Sequence, residues 1–147
     1  MRGIGLRIGI IAVVAIGAFV LRPFLSGSAA QLAVGDCFDE PTNAAATIED
    51  VQHRPCTDPH DGEVVFVGNY EPASDTYPTD DQFGAYYGPK CLTAFATAAG
   101  VEFATQTTYD MVPMMPTSSS WGSGNRKVIC YAVRVDSAKL TAPLKTK

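Results

Sequence analysis

The residues able to do chemistry concentrate in Val51-Gln-His-Arg-Pro-Cys-Thr-Asp-Pro-His-Asp-Gly-Glu-Val-Val-Phe-Val67. His53, Cys56 and His60 stand at metal-like spacing, and Cys37 offers a fourth ligand of the kind zinc accepts. Asp58, Asp61 and Glu63 are oxygen donors of the calcium type, but they lack the regular ligand spacing of a calcium loop. A turn carrying solvated acids accounts for them. A serine nucleophile needs a base beside it and an oxyanion hole. Ser118, Ser119, Ser120 and His60 supply the residue types, yet there is no Gly-x-Ser-x-Gly turn to present a hydroxyl. Gly122-Ser-Gly124 lacks the lysine and following helix of a phosphate loop and reads as a hairpin turn. No catalytic set, cofactor motif or metal site emerges, and the expectation is a non-enzymatic domain.

The zinc reading competes with disulfides for the same sulfurs. The cysteines are Cys37, Cys56, Cys91 and Cys130. An even count in a short chain behind a hydrophobic leader points to disulfides, because thiols outside the cytoplasm are oxidised. Three pairings are open, and proximity along the chain favours Cys37–Cys56 with Cys91–Cys130. Each bridge would remove roughly 3–4 kcal/mol of unfolded-state entropy in the simple loop model.

The compartment argument rests on the N-terminus. Arg2 and Arg7 precede an apolar run from Ile8 to Leu21, and Arg22-Pro-Phe-Leu leads to Ser26-Gly-Ser-Ala-Ala30. The run alone suits a signal-peptide core, with Ser28 and Ala30 as a small-residue cleavage site. Counted from Ile4 to Leu25 it is long enough to span, because arginines at its edges can snorkel. The preferred reading is an uncleaved single-pass anchor with a cytoplasmic N-terminus; the alternative is a cleaved signal and a secreted product. The chain thus divides into a membrane segment, 1–30, and an extracytoplasmic domain, 31–147.

The whole chain has 147 residues, 46% hydrophobic and 18% charged, which suits one folded domain. Charge is unevenly placed. Asp36 to Asp110 holds 14 acids and two bases, Arg54 and Lys90, whereas Arg126 onward holds six bases and one acid, Asp136. After Ala30 there are 8 bases and 15 acids, a net charge of −7. Such a domain repels phosphate backbones, so nucleic acid is not its partner. Two readings are open: the basic end lies against the acidic half of its own fold, or the two are solvated faces on opposite sides.

The elements that must position these groups follow from pattern. Val64-Val-Phe-Val67 between Gly62 and Gly68, and Lys127 to Val135, read as strands. Segments 35–39 and 48–54 are shorter strands. Thr79 caps a helix with Asp80 and Asp81 in its first turn. Gly88-Pro89 interrupts it and a second helix starts at Pro89, with Cys91, Phe95 and Ala98 on one face and Gly100 as the stop. Val101 to Phe103 has strand character, and Pro113 to Pro116 cannot lie in an internal strand. Leu140 and Leu144 are candidates for a last edge segment. Trp121, the single tryptophan, is a core or rim anchor, with a partner-binding role open. The fold class is α+β: a small antiparallel sheet from 35–39, 48–54, 64–70 and 127–135 packed on the 80–99 helical region, disulfide-stabilised, behind a transmembrane helix.

Taken in order, Gly35-Asp-Cys-Phe38, Val51, Cys56, Pro59-His60-Asp-Gly-Glu63-Val64, Cys91 with Phe95, Pro116, Trp121-x2-Gly124-x-Arg126, Val128 and Cys130 resemble the bacterial septum formation domain of actinobacterial type. The resemblance runs from Val34 to the C-terminus. It departs at Asn125, where an aspartate is expected before Arg126. It implies a small extracytoplasmic domain on a membrane protein, a role in cell division, and partners among envelope or division proteins, with no activity or cofactor attached. His60, Glu63, Trp121 and Arg126 are the candidate interaction residues. The competing reading is an envelope enzyme or ligand-binding protein that uses His60 and the neighbouring acids.

Overall fold

The computed structural model describes residues 26–41 and 50–144. The anticipated membrane segment lies almost wholly outside them, and no helix among the described residues is long and apolar enough to cross a membrane.

Among the described residues six strands form one antiparallel sheet: β1 (Ser26–Ser28), β2 (Cys37–Asp39), β3 (Asp50–Arg54), β4 (Gly62–Asn69), β5 (Tyr109–Met114) and β6 (Lys127–Arg134). Their order is β1-β3-β2-β4-β6-β5. The central pair, β4 and β6, are the two strands the sequence marks most clearly. Their register shifts between Val64 and Phe66 at a bulge, so Val65 and Phe66 both serve the same core.

Helix α1 spans Asp80–Ala99 and covers one face of the sheet. Thr79 caps it through a capping box, in which Oγ1 accepts from Gln82 N–H and the Gln82 side chain accepts from Thr79 N–H. Gly100 ends it at φ 68°, a left-handed conformation that glycine adopts without a Cβ penalty. The expected interruption at Gly88-Pro89 does not occur, and the helix runs through Pro89. Pro89 and Ala85 are both exposed. The carbonyl of Ala85 that loses its helical N–H partner therefore faces water, which lowers the penalty of an interior proline.

Three further differences lie in the second half of the chain. Val101–Phe103 is not a strand; a 3-10 turn covers Phe103–Thr105. The stretch that follows contributes β5, which contains Pro113 yet pairs only with β6. An edge strand leaves one row of N–H groups without a partner strand, which is where a proline is tolerated. Thr117–Ser120, to which the pattern assigns no element, begins a short helix: Thr117 caps α2, Ser118–Gly122, through a bond from Ser120 N–H to its Oγ1.

Both faces of the sheet are buried. Phe83, Cys91 and Phe95 of α1 pack on Val65, Cys130 and Ala132 of the sheet, joined by Tyr70 and Trp121. Tyr70, Tyr77 and Phe83 meet Trp121 edge-on at ring separations of 5.6–5.9 Å, contacts each worth about 0.5–1.5 kcal/mol beyond area burial. The opposite face buries Phe38, Val51, Val64, Ile129 and Tyr131 beneath Ala29 and Leu32. The two bridges are Cys37–Cys56 and Cys91–Cys130. The first ties β2 to the β3–β4 connection, and the second staples α1 to β6.

Candidate functional site

The motif Pro59-His60-Asp-Gly-Glu63-Val64 enters β4 at the end of the sheet nearest the C-terminal segment. Each residue of it meets a different neighbour. His60 exchanges two backbone hydrogen bonds with Leu140, at 3.0 and 2.8 Å. This single bridge is what becomes of the expected edge segment. The His60 ring is 0% exposed. Its Nδ1 lies 2.7 Å from the carbonyl oxygen of Asp58. A carbonyl can only accept, so Nδ1 carries the proton. The other ring nitrogen, Nε2, is buried with no hydrogen-bond partner among the described residues.

Asp61 accepts from Glu40 N–H at 2.9 Å and pairs with Lys139 at 2.8 Å. Lys139 also reaches Asp39 at 2.7 Å, and Asp39 pairs with Arg54 at 2.6 Å. Burial works against the charged form of Asp39, but the hydrogen bonds and charges of Lys139 and Arg54 outweigh it and hold the carboxyl below its usual range. For Lys139, burial is likewise outweighed by Asp39 and Asp61, and its ammonium titrates higher than usual. Of the basic C-terminal end, Lys139 lies against acids of the earlier half of the chain.

Gly62 sits where β2, β4 and β6 converge. A Cβ there would stand 2.6 Å from Cδ2 of Tyr131 and 3.3 Å from Cζ of Phe38. Those rings pack edge-on with centroids 5.0 Å apart, and the Tyr131 hydroxyl donates to Glu40. Burial, with the hydrogen bond and charge of Glu40 and the charge of Asp61, pushes the Tyr131 phenol far up.

Glu63 is 6% exposed, and its Oε2 accepts from Leu144 N–H at 2.6 Å. Burial raises its pKa, and the Leu144 hydrogen bond and the neighbouring His60 only partly offset this. Leu140 and Leu144 are themselves buried. Lys139 to Leu144 therefore forms a strap across the start of β4, pinned by ion pairs, by the His60 bridge, by Glu63 and by two leucines. A cleft of about 350 Å³ runs beside the strap, lined by Tyr109, Arg134, Lys139, Leu140, Pro143 and Leu144 among others.

Trp121 and Arg126 stand apart from this motif, at the helix-covered face. The Arg126 guanidinium lies 3.6 Å from the Trp121 ring centroid and donates to the Trp121 carbonyl oxygen at 2.7 Å. Stacking and hydrogen bonding together hold it in place. Asn125, where an aspartate was expected, instead accepts from Lys127 N–H through Oδ1 at 3.0 Å. Trp121 is 3% exposed, and its indole N–H is buried without a partner among the described residues.

A model of septum formation domains matches residues 32–147. The chain belongs to the septum formation family. No curated protein and no solved structure matches it. In this septum formation domain His60, Glu63 and Trp121 are buried, and Arg126 is half-buried over the indole. The four candidate interaction residues thus divide into two pairs, one under the strap and one against α2.

The residue types of a metal site are also brought together. Ligand atoms of Cys37, His60 and Glu63 lie within 4.8 Å of one another, all three residues buried. The Cys37 sulfur is engaged in the bridge to Cys56. Glu63, not His53, completes this group. His53 is in β3 opposite Phe38, and its Nε2 is 3.1 Å from where a Cβ on Gly27 would be. The missed signal was register: Cys37 pairs directly with Glu63 between β2 and β4, and neighbours across a sheet share a face.

Proposed function

We propose that this septum formation domain is a non-enzymatic interaction module at the cell envelope, tethered by the apolar segment ahead of β1 with its N-terminus in the cytoplasm, and that it contributes to cell division through contacts with envelope or division proteins. The family match over residues 32–147 carries the reading. Two disulfides support an oxidising compartment. The Lys139–Leu144 strap covers the His60–Glu63 motif, with Leu140 bonded to the His60 backbone and Leu144 N–H to the Glu63 carboxylate, which supports a structural rather than a catalytic use of the motif: a reactant would have to displace the strap. A tagged full-length chain is expected to concentrate at midcell in dividing cells, and its deletion to disturb septa. An even distribution round the cell, with normal septa in the deletion strain, refutes the division role.

A further inference from the structure

The Cys37, His60 and Glu63 cluster has a feature that fold stability leaves unexplained. His60 is fully buried, its Nδ1–H is committed to the Asp58 carbonyl, and its Nε2 lone pair has no partner among the described residues. Metal-bound histidines are held in this way: one ring nitrogen donates to a backbone carbonyl, which sets the tautomer and orients the other toward the ion. A buried carboxylate and a buried sulfur complete a group whose ligand atoms lie within 4.8 Å of one another. We propose that reduction of the Cys37–Cys56 bridge converts this cluster into a Zn²⁺ site, with Cys37, His60 and Glu63 as ligands and Cys56 in the fourth position.

The bridge is asymmetric. Cys37 is buried, whereas Cys56 is partly exposed. A dithiol reductant attacks the Cys56 sulfur, the S–S bond breaks, and Cys37 leaves as a thiolate beside His60 and Glu63. The second thiol of the reductant then resolves the mixed disulfide. Cys56 is released, the reductant becomes a disulfide, and two electrons have passed to the chain. Zinc binding sends the remaining thiol protons to solvent. Zinc bonds of roughly 2.0–2.3 Å bring the ligands of one tetrahedral ion to within about 4 Å. The cation also supplies a charge partner for the buried Glu63. Oxidised, the cluster is cross-linked by sulfur; reduced, it is cross-linked by metal.

The test uses the full chain extracted in detergent, oxidised or treated with a phosphine, and titrated with Zn²⁺ against a chromophoric chelator. The reduced chain is expected to take up one Zn²⁺ at least about 100-fold more tightly than the oxidised chain, and Co²⁺ in its place to give a thiolate charge-transfer band. His60→Gln is expected to lose that affinity. Glu63→Gln, which keeps an acceptor for Leu144 N–H, is expected to weaken binding as well and serves if the histidine variant misfolds. Absence of uptake by the reduced chain overturns the proposal. So do equal uptake by the oxidised chain, unchanged affinity in both variants, and a cobalt complex without the thiolate band.

Discussion

Gly62→Ala isolates the close packing at the centre of the motif. Gly62 does not have a positive φ, so the substitution brings no backbone strain of that kind, and its effect is one of space. The added methyl would lie 2.6 Å from Tyr131 Cδ2 and 3.3 Å from Phe38 Cζ. Neither ring can withdraw easily. Both are fully buried, and Tyr131 is tethered through its hydroxyl to Glu40. Overpacking of this kind costs roughly 1–3 kcal/mol. For a domain of this size that lowers Tm by about 3–15 °C, taking roughly 3–5 °C per kcal/mol. Thermal unfolding followed by circular dichroism measures the loss. A double-mutant cycle with Tyr131→Leu supplies the sharper test, because removing the obstructing ring edge should recover part of the cost. The coupling is expected to reach at least about 0.5 kcal/mol, as for residues in direct contact. An unchanged Tm in Gly62→Ala, or strictly additive losses in the cycle, would refute the reading that this glycine makes room for Tyr131.

Leu140→Ala tests the strap: at 5% exposure the truncation is expected to cost about 2–5 kcal/mol in denaturant unfolding, and a loss below about 1 kcal/mol would mean that the strap is not part of the cooperative core. Glu63 has a pKa raised above its usual 4.5, so its contribution to stability is full below 4.5 and lost as pH rises through the folded value. Glu63→Gln is therefore expected to flatten the stability profile over that window and to be at least as stable as the parent at pH 7; a steeper profile contradicts the assignment. Asp39 has the opposite sign: its carboxyl is held below 3.8, so the stability it contributes is present above 3.8 and lost as pH falls through the folded value. Lys139→Ala removes one of its two cations and is expected to soften that acid limb while costing no more than about 1 kcal/mol at neutral pH; an unaltered acid limb argues against the ion pairs.

The elements legible in the sequence were those whose signals are local. Val64–Val67 and Val128–Tyr131 are apolar enough to lie in a central sheet, and Thr79 with Gln82 writes out a capping box before α1. The elements that were missed depend on partners far along the chain. β5 contains Pro113 and reads as a break until β6 is placed beside it, when its edge position makes the proline harmless. Pro89 signals a stop but falls on a solvent-facing turn of α1. The Val51–Val67 stretch was legible as the chemically richest part of the chain, but the use of its groups was not. The His60 backbone and the Glu63 carboxylate are engaged by Leu140 and Leu144, some 80 residues onward, and no periodicity within the motif reports such a contact. The zinc-like spacing likewise drew in His53 and passed over Glu63, because a spacing along the chain does not reveal which residues face each other across two strands.

The two disulfides join first cysteine to second and third to fourth, with no crossing of the loops they close. A chain that meets an oxidant from its N-terminal end onward would form each native bridge as soon as its second cysteine arrived. The available partner at each step is the correct one, so neither of the other two pairings has to be made and undone. Maturation should then require an oxidase but be insensitive to loss of a disulfide isomerase.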